Sequence, residues 1–176
     1  MCGILGALES KFDAARFEAA LARLAWRGRD GSGSTSTAGW RLGTARLAIS
    51  DATAPQPIEC PRTGRVVVFN GAVTSARDEW ARYRTATRND AELLLHRLAH
   101  DGPEGLLDMT GPYAFAIADP LADCVYVGRD HLGEKPLLVA SEDGEPVAFA
   151  STGPALRALG FRTEWNPVEL GRWFRR

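Results

Sequence analysis

The sequence contains little of what marks a disulfide-rich, membrane or nucleic-acid-binding protein. Its 176 residues include only 3 cysteines, Cys2, Cys60 and Cys124, and this odd number argues against a disulfide framework. No apolar run approaches the ~20 residues that span a bilayer. The formal net charge is -1, so no excess of positive charge favours nucleic acid or an anionic membrane as a partner.

A secretory signal is also missing, because the opening segment MCGILGALES is apolar but lacks a basic region and sufficient length. The composition, 45% hydrophobic and 24% charged, is that of a folded protein. The length fits one domain, since domains hold roughly 100–200 residues. Histidine and cysteine occur without metal-ligand spacing. We therefore expect a single cytoplasmic domain over residues 1–176, with no metal and no cofactor.

Two helices are predicted from capping residues and apolar spacing. Ser10 is a candidate N-cap, and apolar residues at helical spacing predict a helix over Lys11–Trp26. A second helix is predicted to begin at Asn89 or Asp90 and to end near Gly102.

Seven short segments bounded by turn residues predict strands. The Gly- and Ser-rich run from Arg27 to Gly39 predicts a loop, and Asn70-Gly71 predicts a turn that ends a strand. Two packed sheets with helices outside would accommodate these elements, although periodicity alone does not fix that stacking. The predicted strands are Cys2–Leu8, Trp40–Leu47, Arg65–Phe69, Tyr113–Ala118, Cys124–Gly128, Pro136–Ala140 and Val147–Ser151.

Cys2 directly follows Met1, and a small second residue normally allows the initiator methionine to be removed. Removal would leave a thiol and a free α-amino group on the same residue. The reference pKa of that amine is about 7.7–8.0, so it can accept the proton of the thiol near neutral pH. The alternative is that Cys2 is a small buried residue at the start of a strand.

Several sequence blocks occur in the order found in one known family. They are MCGILG, Arg27-Gly28, ARLAISD, PQP, FNG, NDAE, GPYAFAIAD and GRDHLGEKPL. Together they resemble the class II glutamine amidotransferase domain of the asparagine synthetase-like type, an N-terminal nucleophile hydrolase. The resemblance covers the chain from Cys2 to about Leu156. It implies an α+β fold, a four-layer αββα sandwich.

The resemblance also implies a reaction. The thiolate of Cys2 would attack the side-chain amide of glutamine, giving a glutamyl thioester and ammonia, and water would then release glutamate. The side-chain amide of Asn70 and the backbone N–H of Gly71 match the donors that stabilise the oxyanion. Such preorganised donors are typically worth ~10²–10³ in rate each. Taken alone, Asn70-Gly71 would be an ordinary turn.

The same resemblance assigns the binding of L-glutamine, which carries one positive and one negative group. Arg46 matches the arginine that binds the carboxylate, and such a side chain can engage both oxygens. Asp90 matches the carboxylate that holds the amino group, although a helix N-cap is its alternative role. The other matched positions are Leu47, Ile49 and Ala72 beside the substrate, and Arg27 and Gly28 in a loop that covers the pocket.

The block GRDHLGEKPL, Gly128–Leu137, is structural in the family, so Asp130 and His131 are not expected to be catalytic. The chain departs from the family where an acidic residue normally follows the asparagine-glycine pair, because Ala72 stands there. That acid would help to hold the substrate ammonium. A second departure is Arg29, which replaces the proline of the loop near the nucleophile.

The sequence contains no Ser-Gly-Gly-x-Asp pyrophosphate loop of a synthetase domain. We therefore expect a stand-alone glutaminase that passes ammonia to a separate synthetase or transferase, with no nucleic-acid or membrane partner. One alternative is an N-terminal cysteine amidase or acyl transferase acting on another substrate, which the departure at Ala72 motivates. Another is a catalytically degenerate scaffold or regulatory subunit.

Overall fold

The computed structural model describes residues 1–49, 55–74, 76–83, 85, 87, 89–162, 167, 168 and 171. Within these ranges, no helix has the length and apolar character needed to cross a bilayer. The elements are β1 Gly3–Leu8, α1 Ala14–Ala22, β2 Gly31–Thr37, β3 Trp40–Arg46, β4 Ile58–Glu59, β5 Val66–Gly71, α2 Ala76–Tyr83, α3 Asp90–Asp101, a 3₁₀ helix at Pro103–Leu106, β6 Tyr113–Asp119, β7 Cys124–Arg129, β8 Leu138–Glu142, β9 Glu145–Ala150 and α4 Gly153–Leu159.

The strands form two sheets. One has five strands in the order β2-β3-β1-β9-β8, and the other has four in the order β4-β5-β6-β7. The first strand of the chain is therefore central in its sheet. It pairs antiparallel with β3, where Gly3 faces Ala45, and antiparallel with β9, where Leu5 faces Ala150.

Alternation along the strands directs side chains to opposite faces and produces three apolar cores. On β6, Ala114 and Ala116 face the other sheet, whereas Phe115 and Ile117 face helix α3. The core between the sheets also contains Ile4, Leu42, Val66, Val68, Ala118 and Phe149. Helices α1 and α4 contribute Phe17, Leu21, Leu156 and Leu159 to the core outside the five-stranded sheet. The order of layers is helix, sheet, sheet, helix, which confirms the αββα sandwich.

The predicted loop over Arg27–Gly39 is wrong, because Gly31–Thr37 forms β2 and pairs along its length with β3. The hairpin turns at Ala38 and Gly39, which have φ values of 51° and 70°. Positive φ at both central residues is the geometry that matches strand twist in a two-residue hairpin. Short polar side chains hid this edge strand, since it has no apolar alternation to detect.

Helix α1 is shorter than the predicted Lys11–Trp26, and its N-cap is Asp13 rather than Ser10. The Asp13 side chain accepts a hydrogen bond from the backbone N–H of Arg16 at 2.8 Å. The second predicted helix is confirmed as α3, which Asn89 caps and which ends before Gly102. Strands β2 and β4 and helices α2 and α4 were not predicted.

The loop after β7 is organised around one carboxylate. Asp130 is 6% exposed and accepts backbone hydrogen bonds from Tyr113, Leu132, Glu134 and Lys135 at 2.9–3.2 Å. Burial raises the pKa of this carboxyl, but the hydrogen bonds outweigh burial and hold its pKa below the ordinary value. The structural role expected for Asp130 is thus explained by a loop folded around its side chain.

Replacing Asp130 by alanine is expected to destabilise the fold by about 2–4 kcal/mol, because one buried and three partly buried N–H donors lose a charged acceptor. Urea unfolding at neutral pH measures this. Asp108→Ala is the control, since Asp108 is exposed, and it should change the free energy of unfolding by less than about 0.5 kcal/mol. Equal stability of the two variants would contradict the structural role of Asp130.

Candidate active site

Strand ends from both sheets and the start of α3 enclose a cavity of about 190 Å³. Cys2 lies just before β1, Arg46 ends β3, Asn70 and Gly71 end β5, and Asp90 begins α3. The predicted residues that line the cavity are Cys2, Arg46, Leu47, Ile49, Asn70, Gly71, Ala72 and Asp90. The fold therefore brings these residues, which are distant in sequence, into one place.

The sulfur of Cys2 is held against the backbone that follows β3. Its Sγ lies 3.4 Å from the amide nitrogen of Leu47, which donates to it, and 3.6 Å from the carbonyl oxygen of Leu47. The carbonyl oxygen of Cys2 accepts a hydrogen bond from Nε of Arg27 at 2.9 Å. Both ends of the residue are thus fixed in position.

Asn70 and Gly71 are the last two residues of β5, where they face Ala114 and Tyr113 of β6. The predicted turn at this pair is therefore wrong. A strand rather than a turn presents the pair to the cavity.

The side chain of Asn70 is 1% exposed, and its Nδ2 has no hydrogen-bond partner among the described residues. A buried amide donor left unpaired costs free energy, and such groups call for an explanation. Its position on the cavity wall provides one, because a ligand oxygen can accept from it there.

Only glycine fits after Asn70. Gly71 has a φ of 145°, and a Cβ at this position would collide with the carbonyl oxygen of Pro112. The backbone of β5 thus approaches the neighbouring chain segment closely beside the cavity.

Asp90 supplies the negative charge of the cavity. Its Oδ2 accepts a hydrogen bond from the backbone N–H of Val73 at 2.9 Å. Burial raises the pKa of this carboxyl, and the hydrogen bond from Val73 opposes that rise only in part. The cap of α3 is Asn89, whose side chain accepts from the N–H of Ala91. Capping therefore does not account for Asp90.

Arg27 and Gly28 are not among the described residues that line the cavity, but both contact residues that do. Arg27 is 7% exposed, and burial lowers the pKa of its guanidinium, while the charge of the nearby Cys2 opposes this. Gly28 packs against the backbone of Ala45 and Arg46, where a Cβ would collide. The pair supports the nucleophile and the end of β3 from beneath.

Sequence reasoning gave no role to two polar residues on the cavity wall, Gln56 and Lys135, and it predicted a third, Asn89, only as a helix cap. Oε1 of Gln56 accepts the backbone N–H of Phe69 at 3.0 Å, which fixes the 55–57 segment to β5. Lys135 belongs to the block interpreted as structural. No periodicity could have revealed either residue, because both lie in segments without regular structure.

Known proteins are similar to this chain in sequence and in fold. The family model described as "Glutamine amidotransferase domain" matches residues 1–176. Asparagine synthetase B [glutamine-hydrolyzing] of Escherichia coli K12 is 33% identical over 165 residues, covering 89% of this chain and 30% of that protein. A putative asparagine synthetase [glutamine-hydrolyzing] of Mycobacterium tuberculosis H37Rv is 33% identical over 194 residues, covering 93% of this chain and 29% of that protein. The chain thus spans less than a third of these relatives.

Solved structures share the fold at lower identity. Glutamine phosphoribosylpyrophosphate amidotransferase from Bacillus subtilis superposes with a TM-score of 0.75 and 19% identity, covering 90% of this chain and 44% of that one. The full-length match of the family model is the stronger finding, and the sandwich with Cys2 at the start of its central strand agrees with it. The chain therefore belongs to the class II glutamine amidotransferase domain family, of the asparagine synthetase type and with the N-terminal nucleophile hydrolase fold.

Proposed function

We propose that this domain hydrolyses L-glutamine to glutamate and ammonia through a thioester on Cys2. The observation that carries the proposal is the position of Asn70, whose buried and unpartnered amide shares one cavity with the Cys2 thiol. A cation, Arg46, and an anion, Asp90, lie in the same cavity. That pair matches the two charges of a free amino acid.

The reaction begins once Met1 is removed and the amino group of Cys2 is free. The amine takes the proton from Sγ, and the thiolate attacks the side-chain carbonyl carbon of glutamine. The C–N bond then breaks, the ammonium returns its proton to the leaving nitrogen, and ammonia departs. Water adds to the thioester with the amine as base, the C–S bond breaks, and glutamate leaves as the thiol re-forms. Each turnover consumes one water and regenerates the enzyme.

Asn70 stabilises the tetrahedral intermediate in this scheme. Its Nδ2 has no internal hydrogen bond to give up among the described residues, so donation to the oxyanion needs no rearrangement. The backbone of Gly71 completes the expected oxyanion site. The close packing of Gly71 against Pro112 keeps that backbone in one conformation.

Arg46 and Asp90 orient the substrate by its carboxylate and its ammonium respectively. Leu47 and Ile49 lie beside it, and Ile49 is 83% exposed at the cavity rim, where a bound ligand would cover it. Ala72 lines the cavity without a charged side chain, which leaves ammonium recognition to Asp90. Binding of glutamine therefore depends on the ionisation of a single carboxylate among the described residues.

The ammonia needs an acceptor activated elsewhere. We expect a synthetase or transferase in that role. Support comes from the curated relatives, whose names join glutamine hydrolysis to asparagine synthesis and which extend well beyond the matched domain.

The first test is Cys2→Ala. Release of glutamate from glutamine is expected to fall at least about 10³-fold, since the nucleophile is lost. Cys124→Ala is the matched control, because Cys124 is also a half-buried free cysteine but does not line the cavity. Intact mass should show Met1 absent from the active protein. Glutaminase activity that survives in Cys2→Ala would overturn the proposal.

Asn70→Ala is expected to lower kcat by about 10²–10³-fold with little change in KM, because the donor acts on the oxyanion and not on the ground state. Stability should be nearly unchanged, as no internal bond of Nδ2 is lost. Steady-state kinetics and thermal unfolding measure the two effects. A variant with normal kcat and raised KM would assign Asn70 to substrate binding instead.

Asp90→Asn is expected to raise KM for glutamine about tenfold or more at neutral pH, since a charged hydrogen bond is lost. In the wild type, KM should rise as the pH falls through the pKa of Asp90, which burial raises above the usual 3.8. The variant should lack this dependence. Profiles of KM between about pH 4.5 and pH 8 test the expectation, with Asp108→Asn as the exposed control.

The same substitution has an expected effect on stability. The folded state binds the Asp90 proton more tightly than the unfolded state, so this residue contributes a stability that decreases as pH rises through its raised pKa. The substituted amide would carry no charge to bury, and its oxygen can still accept from Val73. Asp90→Asn should therefore melt at or above the wild-type temperature at neutral pH, and a large drop would contradict this account.

A further inference from the structure

Lys135 connects the loop after β7 to the nucleophile. Its side chain lines the cavity, and its Nζ lies 3.7 Å from Sδ of Met1, the residue directly before Cys2. Its backbone N–H donates to Oδ2 of Asp130 at 3.1 Å. Because Asp130 binds four backbone N–H groups, the backbone from which the Lys135 side chain extends is held in one position.

We propose that Lys135 is a positioning residue whose ammonium weakens the proton affinity of the Cys2 α-amine, so that the amine is a free base at neutral pH. The inference rests on the proposed function, in which that amine accepts the proton of the thiol. It gives a catalytic consequence to a loop that was expected to be only structural.

The α-amine of Cys2 can act as a base at neutral pH only if its pKa is lowered. An ordinary α-amino group has a pKa of about 7.7–8.0, so at pH 7 most of it is protonated and cannot act as a base. After removal of Met1, the amino group of Cys2 takes the place of the Met1–Cys2 peptide nitrogen. The ammonium of Lys135 contacts the side chain of Met1, the residue bonded to that nitrogen, and Lys135 lines the same cavity as Cys2. A nearby positive charge, and an N–H donated to the neutral amine, both favour the unprotonated form.

The surrounding charges act in both directions. Arg46 and the buried Arg27 are cations, so they weaken proton binding by the amine, as Lys135 does. Arg27 is already bonded to the carbonyl oxygen of Cys2. Asp90 and the thiolate of Cys2 would instead strengthen proton binding by the amine. In the proposed complex, Asp90 pairs with the substrate ammonium, which removes much of its effect. Lys135 is the described cation that contacts the residue-1 side of the nucleophile.

The experiment compares Lys135→Met with Lys135→Arg. Met has a similar length without charge, and Arg restores the cation. Removal of Met1 is first verified by intact mass, and kcat for glutamine hydrolysis is then measured against pH. Loss of the cation should raise the pKa of the base, so the acid limb for Lys135→Met should move to higher pH by about one unit. Activity should recover at alkaline pH. Lys135→Arg should keep the wild-type profile.

Lys11→Met is the matched control, because Lys11 is an exposed lysine that pairs with Glu142 away from the cavity. Its profile should coincide with that of the wild type. An unchanged acid limb in Lys135→Met would overturn the inference. So would a raised KM with unchanged kcat at every pH, which would make Lys135 a substrate-binding residue.

A second measurement does not depend on turnover. Thiols are capped with methyl methanethiosulfonate, and the rate of α-amine acetylation by acetic anhydride is followed against pH by peptide mass spectrometry. The amine of Lys135→Met should titrate about one unit higher than that of the wild type. If this shift is present but glutamine is not hydrolysed, the inference about Lys135 stands and the proposed function fails. If glutamine is hydrolysed and the shift is absent, Lys135 does not tune the amine.

Discussion

The position of β1 between two antiparallel partners is the constraint on which the site depends. Gly3 faces Ala45 on one side. On the other side, the Ile4 N–H donates to the Ser151 hydroxyl and the Ser151 N–H donates to the Ile4 carbonyl oxygen. A strand held along both edges has little freedom to slide, because both of its faces are packed and a side chain shifted onto the position of Gly6 would collide with the Phe149 ring. The residue just before it, Cys2, therefore meets Leu47 at a defined distance.

The remaining groups are arranged around that fixed point at some cost to stability. Asn70 is buried without a partner for its Nδ2 among the described residues, and the charge of Asp90 is disfavoured by burial. Such groups persist where the surrounding packing is strong, and here Val68 and Phe69 before Asn70 and Ala91 after Asp90 are buried in the cores. Preorganised polar groups of this kind are what a transition state with a developing charge requires.

The sequence predicted features correctly where a residue type strongly favours one local structure, as capping residues do at helix ends. Asn89 and Gly102 marked the ends of α3, and the ordered motifs identified eight of the residues that line the cavity. The four-layer stacking followed from the family resemblance, since periodicity along a strand does not specify which sheet it joins. Strand β2 was missed because Gly31–Thr37 has small polar side chains and is held by backbone pairing to β3.

Other features could not be predicted because they arise from contacts between distant segments. Gln56 and Lys135 reach the cavity through tertiary folding alone. The resemblance placed Arg27 in a loop over the pocket, but its guanidinium lies beneath Cys2, where it donates to the carbonyl oxygen from a buried position. The sequence left open whether Asp90 caps α3 or binds substrate. The hydrogen bond from the Ala91 N–H to the Asn89 side chain shows that Asn89 is the cap.

The pairing of β1 with β9 has a consequence for biosynthesis. Leu5 pairs with Ala150, so the strand that holds the nucleophile gains its second partner only after most of the chain has been translated. The N-terminus stays accessible once this pairing has formed, because Met1 is 52% exposed in the folded domain. The free amine on Cys2 that the proposed mechanism requires can therefore be released by an aminopeptidase during synthesis or after folding. Maturation of the nucleophile thus does not depend on the order in which the strands pair.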